Sequence, residues 1–259
     1  MQTSCNWNGD DVILAKSKGG VLAFTEPLEG LLRGDVEVWP APEILQKLYK
    51  SNHEAKYEGE DLSAVVRTMG YYCDLQSINS EDAITWSVFG PLIYAEEATR
   101  IKFCTNLFHM IEPSLCPPQV ATISLWRRTP HPTKLSMGGP EIDVLLQTPA
   151  AVILGEAKWK SPTDEEQIEL RKMVFSRFGQ RIYAAGTTFI VLGIYLDKPL
   201  FQRQECRVGD VEILMRSVSW EDLCSINPHP AGDELPRYFR WKKKISNAGK
   251  MRNQTPTDI

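Results

Sequence analysis

The sequence predicts an α/β fold whose central sheet is covered on both faces. Between residues 80 and about 224 the elements read in the order helix, three strands, helix, strand. The runs 141–147 and 151–159 are apolar on both faces, as strands covered on both sides require. Leu145, Val152 and Leu154 line one face, and Val144, Leu146, Ile153 and Ala157 line the other. A hydrophobic content of 42% over 259 residues suits one large domain or one domain with a small extension.

Each element follows from local chemistry. Residues 1–79 read as an N-terminal extension or subdomain of weak periodicity. Within them PEILQKLYK carries Ile44, Leu45, Leu48 and Tyr49 at helical spacing. Ser80 is a good N-cap, Glu81 and Asp82 suit the positive end of a helix, and Ile84, Val88, Phe89 and Leu92 form its apolar stripe. That helix is expected to run to about Thr99, before Pro113, Pro117 and Pro118 break the chain.

A strand over 120–126 and a loop, RRTPHPTKLSMGGP, come next. The runs 141–147 and 151–159 hinge at Thr148-Pro149-Ala150. Pro162 and a capping box over 163–166 open a second long helix, expected to about Ala185. TTFIVLGIYL is a buried strand, 211–218 is another, and SWEDL a short helix. The expected core is therefore 80–226. Residues 227–259 read as a basic tail, in which 237–252 holds no acidic residue and interleaves Tyr238, Phe239 and Trp241.

The balance of 29 basic against 33 acidic side chains gives a formal charge of −4, which excludes a uniformly basic coat but leaves room for the C-terminal patch. The longest apolar-rich run, 187–196, is too short to cross a bilayer, so no membrane partner is expected. The start, MQTSCNWNGDD, shows no secretory pattern. The 6 cysteines and 4 histidines form no metal-ligand spacing, so reduced thiols, packed as small hydrophobes, and a cytoplasmic location are expected.

The chemistry concentrates in the hairpin. With a turn centred on Pro149-Ala150, Asp143 faces Glu156 and Glu141 faces Lys158, all four on one side of the sheet. Opposed Cβ atoms in such a pair lie roughly 5 Å apart. Two carboxylates at that distance repel unless something positive stands between them, so removing one would relieve repulsion. A hard divalent cation such as Mg²⁺ suits oxygen ligands and retains waters for chemistry. Lys158 points the same way and can reach such a water or a phosphate oxygen. Thr148-Pro149-Ala150-Ala151 suits a type I turn better than the primed turns of two-residue hairpins, and a bulge would shift the pairing by one residue.

On these residues the chain resembles the PD-(D/E)XK nuclease superfamily, the restriction-endonuclease-like fold. The pattern GGPEID…GEAKW matches its Asp on one strand and Glu-x-Lys on the next, here Asp143 and Glu156-Ala157-Lys158. The element order matches its αβββαβ core, a central mixed sheet flanked by helices. The resemblance covers roughly residues 80–196, extending at most to about 224; the residue before Asp143 is Ile142 rather than Pro. Glu-x-Lys alone would mean little, since exposed strands often carry it as a surface ion pair.

The resemblance implies that Asp143, Glu156 and the backbone carbonyl of Ala157 bind Mg²⁺, with Mn²⁺ as the expected substitute. Glu81 would bind a second metal or a metal-bound water, with Asp82 as the alternative. Lys158 would orient the attacking water and offset phosphorane charge. Gln167 matches the polar residue on the following helix, and Gln180 with Tyr183 is a weaker match to the Gln-x-x-Tyr of recombination-type nucleases.

The implied activity is a metal-dependent endonuclease that hydrolyses phosphodiester bonds in nucleic acid, with DNA as the expected substrate and restriction or antiviral defence as the setting by analogy. The alternatives are a catalytically silent nuclease-fold protein that binds DNA or a protein partner, and a generic α/β interaction protein. A homodimer and a partner protein of a defence complex are the candidate assemblies. Arg127, Arg128 and Lys134 beside the cleft, Arg171 on the following helix, and Lys242, Lys243 and Lys244 in the tail are the expected phosphate contacts. Each has a plain alternative as a solvated surface charge.

Overall fold

A computed structural model describes residues 1–16, 21–26, 28–51, 75–133, 138–162 and 164–251. The chain is α/β and divides into two units, 1–87 with 233–259, and 88–232.

In the first unit β1 (Gln2–Cys5), β2 (Asp11–Lys16) and β3 (Leu22–Phe24) form an antiparallel sheet, followed by α1 (Pro42–Ser51). Residues 234–251, expected as part of a tail, form the helix α7 (Glu234–Met251) and pack against that sheet. Trp241 sits on Trp7 and Phe24, with ring centroids 5.1 and 5.9 Å away, and its indole N–H donates to the Cys5 carbonyl at 2.7 Å. Tyr238 is buried and donates to the Gly30 carbonyl at 2.9 Å. The helix α2 (Glu81–Tyr94) starts in this unit, with the expected cap: Ser80 Oγ accepts from Ala83 N at 2.9 Å.

The expected single helix to about Thr99 is two helices. After α2, a break at Ala95–Glu96 is followed by α3 (Glu97–Ile111), whose Phe103, Cys104, Leu107, Phe108 and Ile111 are buried at helical spacing.

The second unit holds a mixed sheet of six strands, β4 (Thr122–Pro130), β5 (Gly138–Gln147), β6 (Ala151–Ala157), β7 (Thr188–Tyr195), β8 (Gln204–Val208) and β9 (Val211–Ser219), in the order β4-β5-β6-β7-β9-β8. β4, β5 and β6 pair antiparallel, β6 and β7 parallel, and β7 and β9 parallel. β8, which the periodicity did not suggest, pairs with β9 through a tight turn holding Gly209 at φ 62°.

A parallel neighbour needs a crossover, and here it is helical. It consists of α4 (Glu165–Val174), a π-turn over Phe175–Gly179, and α5 (Gln180–Ile182). Asp164 caps α4, accepting from Glu166 N at 3.0 Å and Gln167 N at 3.4 Å. Thr163, where the capping box was expected to begin, lies outside the described residues. Ile168, Val174 and Phe175 pack onto Val152, Leu154, Phe189 and Val191, which fixes α4 across the β5–β6 face. α6 (Trp220–Cys224) follows β9 directly.

Candidate active site

The β5–β6 register is the expected one. Gln147 stands opposite Val152 and the pairing runs without a bulge to Val144 opposite Gly155. The turn explains why. Neither Pro149 nor Ala150 has positive φ, so the turn is unprimed, and the Thr148 hydroxyl braces it by accepting from Ala151 N at 2.9 Å. At the other end, Gly155 lets β6 close on β5: a Cβ there would meet Val144 Cβ at 3.0 Å.

Past Gly155 the two strands stop pairing main chain to main chain. Asp143 Oδ2 accepts instead from Ala157 N at 2.9 Å. β6 stays joined to β7, with Glu156 opposite Gly193 and Lys158 N donating to the Ile194 carbonyl at 2.8 Å. The indole N–H of Trp220 donates to the Lys158 carbonyl at 3.1 Å, and Trp159 is buried, so the backbone around Lys158 is held from both directions.

Asp143, Glu156 and Lys158 meet on one face. Lys158 Nζ lies 2.7 Å from Glu156 Oε1, and the Glu156 side chain is 3% exposed. The surprise is Arg171, which was expected to face phosphate and is turned inward at 1% exposure. Its Nη2 forms an ion pair with Glu156 Oε2 and stands 4.0 Å from Asp143 Oδ2. Neither Glu156 Oε2 nor Arg171 Nε makes a hydrogen bond. Gln167, expected to act in the site, belongs to this cluster through Arg171: its carbonyl and its Oε1 accept from Nη1 at 3.0 and 3.3 Å. Nη2 also donates to the Glu141 carbonyl at 3.0 Å. The side chain of Glu141 pairs with Arg128 at 3.8 Å.

A strained residue faces Asp143 from the other side. The β4–β5 pairing skips one position between Leu125–Val144 and Arg127–Ile142, and Trp126 fills it at φ 52°. A left-handed non-glycine residue costs on the order of 1 kcal/mol or more. Around it Leu125 and Trp126 are both buried, while Arg127 and Arg128 are both exposed.

The remaining expected residues are distributed as follows. Glu81 lies in the first turn of α2 and belongs to the first unit, as does Asp82, which pairs with Lys47 at 3.4 Å. Lys134 lies outside the described residues. Lys242 is buried and donates to the Ile78 carbonyl at 3.2 Å, so it is spent inside the first unit rather than offered to phosphate. Lys243 lies over the Phe239 ring and Lys244 is exposed. Tyr183 OH accepts from Gln147 Nε2 at 2.8 Å, at the hairpin end of β5. Four residues of strand, about 13 Å at 3.3 Å each, separate that position from Asp143. Gln180 and Tyr183 line a cavity of about 430 Å³ there, with Phe189 and Val211.

No sequence pattern marks Trp220 or Trp126 for a role at this site. Arg171 did leave a signal. It stands three residues after Ile168 and three before Val174, on the apolar stripe of α4, where an exposed cation does not belong.

The chain matches no family model and no curated protein. Among the described residues no group of three or more His, Cys, Asp or Glu side chains could hold a metal ion, and no helix is long and apolar enough to cross a membrane. The donors that do converge are two carboxylates beside the Ala157 main chain. Such hard oxygen donors fit Mg²⁺, which is commonly held by one or two carboxylates together with waters and substrate phosphate. Glu156 Oε2 is held by the Arg171 guanidinium, so an ion at this site would share that oxygen with Arg171.

Proposed function

We propose that the protein is a metal-dependent endonuclease of the PD-(D/E)XK type that hydrolyses phosphodiester bonds in DNA, in a restriction or antiviral setting. The observation that carries the reading is the convergence of Asp143, Glu156 and Lys158 where β5 and β6 part, with Lys158 Nζ 2.7 Å from Glu156 Oε1. In support stands the strand order β4-β5-β6-β7, antiparallel then parallel, with α4 as the crossover.

Asp143, Glu156 and the Ala157 carbonyl would hold Mg²⁺. The ion supplies charge neutralisation at the phosphoryl oxygens and a water that deprotonates near neutral pH. Lys158 directs its ammonium at the scissile phosphate and stabilises the negative charge that grows there. Attack of a water oxygen on phosphorus would break the bond to the leaving oxygen, the proton shed by the water returning through solvent to that oxygen, while Lys158 offsets the charge on the phosphoryl oxygens. Arg127 and Arg128, exposed on β4, would hold flanking phosphates.

A second reading is favoured by one observation: Arg171 and Lys158 already balance the two carboxylates. That suits a silent nuclease-fold protein that binds DNA or a protein partner. The deciding experiment incubates the purified chain with supercoiled and linear DNA in Mg²⁺ or EDTA, beside Asp143→Asn. Cleavage that needs Mg²⁺ and Asp143 supports the nuclease; retention of DNA without cleavage supports the silent binder.

A further inference from the structure

Arg171 meets both carboxylates of the Asp143–Glu156 pair. Its guanidinium is fixed by Gln167 through Nη1 and by the Glu141 carbonyl through Nη2, and it meets Glu156 directly and Asp143 at 4.0 Å. Two carboxylates and two cations, Lys158 and Arg171, sum to no formal charge. The site is nearly closed to water at Glu156 and Arg171, at 3% and 1% exposure. A divalent cation added to that set would leave two uncompensated positive charges where solvent screens little. A phosphodiester brings negative charge, and a guanidinium fork matches its oxygens.

We infer that Arg171 is a resident counter-cation of the Asp143–Glu156 pair, so that divalent-cation binding is weak in the free protein and tightens when a phosphodiester joins the site. The inference rests on the metal-dependent reading above. It makes cation and nucleic-acid binding mutually reinforcing, each raising the affinity of the other by the same factor.

The test measures free Mn²⁺ by electron paramagnetic resonance over the full-length protein, with and without a cleavage-resistant phosphorothioate duplex. In the wild type, the duplex should tighten Mn²⁺ binding roughly tenfold or more, as expected for removing a close like-charge repulsion. Arg171→Gln should bind Mn²⁺ tightly without the duplex and lose most of the coupling, while Arg171→Lys, which keeps the charge, should stay near the wild type. Mn²⁺ should also raise the melting temperature of Arg171→Gln more than that of the wild type. Equal Mn²⁺ affinity with and without duplex in the wild type overturns the inference without needing a variant, and the metal site survives that result. Mn²⁺ binding to Arg171→Gln no tighter than to the wild type does the same. No Mn²⁺ binding to any form, with or without duplex, removes the metal-dependent reading itself.

Discussion

The main-chain N–H of Ala157 donates to Asp143 Oδ2 at 2.9 Å, where β5 and β6 cease to pair through their own backbones. A side-chain carboxylate takes the place of a carbonyl acceptor, and the strands open beyond it. Asp143 thus helps to hold the fork and offers its charge to it.

Asp143→Asn should separate these two roles. The carboxamide oxygen can still accept from Ala157 N, so urea unfolding should give a stability within about 1 kcal/mol of the wild type. Mg²⁺-dependent cleavage should fall by about 100-fold or more, because the anionic donor is gone. Asp143→Ala should lose cleavage and, by stranding a buried N–H, about 1–3 kcal/mol of stability as well. Full cleavage by Asp143→Asn would remove this site from the account.

Removing Glu156 should destabilise the fold. Repulsion between crowded carboxylates predicts the reverse, but that holds only without Arg171 and Lys158. Glu156→Ala leaves the Arg171 guanidinium buried without its direct partner, which costs about 3–5 kcal/mol. Denaturant titration checks this, and a stability equal to or above the wild type would show that the Glu156–Arg171 pair carries no net attraction.

Lys158→Ala should lose turnover while keeping affinity for DNA in Ca²⁺. Its ammonium already has a partner in Glu156 at 2.7 Å, and its proposed gain comes as charge develops on phosphate. Single-turnover rates at saturating protein should drop by about tenfold or more. Lost Ca²⁺-supported binding would make Lys158 a clamp on the bound substrate.

The hairpin was legible because its signals are local. The continuous apolar runs, the Thr148-Pro149-Ala150 turn and the Ser80 cap depend on neighbours a few residues away. The first unit was not legible, because its core joins the ends of the chain: Trp7 donates to Glu234, 227 positions later, and packs on Tyr238 at 4.9 Å. No local pattern announces such a partner. The basic composition of 237–252 also masked a second pattern, in which Leu235, Tyr238, Phe239, Lys242 and Ser246 share one helical face and are buried. The strained Trp126 had no sequence signal, since its left-handed backbone is imposed by pairing on both sides of the skipped position.

His229 predicts a pH dependence of stability. It is buried beside Phe103, its Nε2 faces the Val88 carbonyl at 2.8 Å, and its Nδ1 accepts from Ala231 N at 3.1 Å. Both contacts suit the neutral ring with its proton on Nε2, and a second proton on Nδ1 would face the Ala231 N–H. Burial pushes its pKa down to about 4, partly opposed by the Val88 contact. The unfolded chain therefore binds this proton first, and stability falls as pH drops from about 6.5 toward about 4. The loss from this residue should reach about 3 kcal/mol, and His229→Gln should flatten that part of the profile. An unchanged slope in His229→Gln would mean that other groups set the acid limit.

The outward face of α7 offers a test of polyanion binding. Arg237, Arg240 and Lys244 are exposed and spaced three and four residues apart, opposite the buried face of Tyr238, Lys242 and Ser246. Deleting everything after Leu235 would strip the core of the first unit, so truncation is the wrong test. Replacing Arg237, Arg240 and Lys244 together by Ala keeps good helix formers on the surface and leaves the buried face intact. Each phosphate neutralised on a duplex contributes about 0.9 to the slope of log affinity against log salt, so the triple variant should flatten that slope by roughly 2–3. Trp241 is held by Trp7 and the Cys5 carbonyl, so the loss should be no larger for single strands than for duplex. Fluorescence anisotropy over a salt series decides it. An unaltered slope would make this face a solvated surface and leave DNA binding to Arg127 and Arg128, exposed on β4.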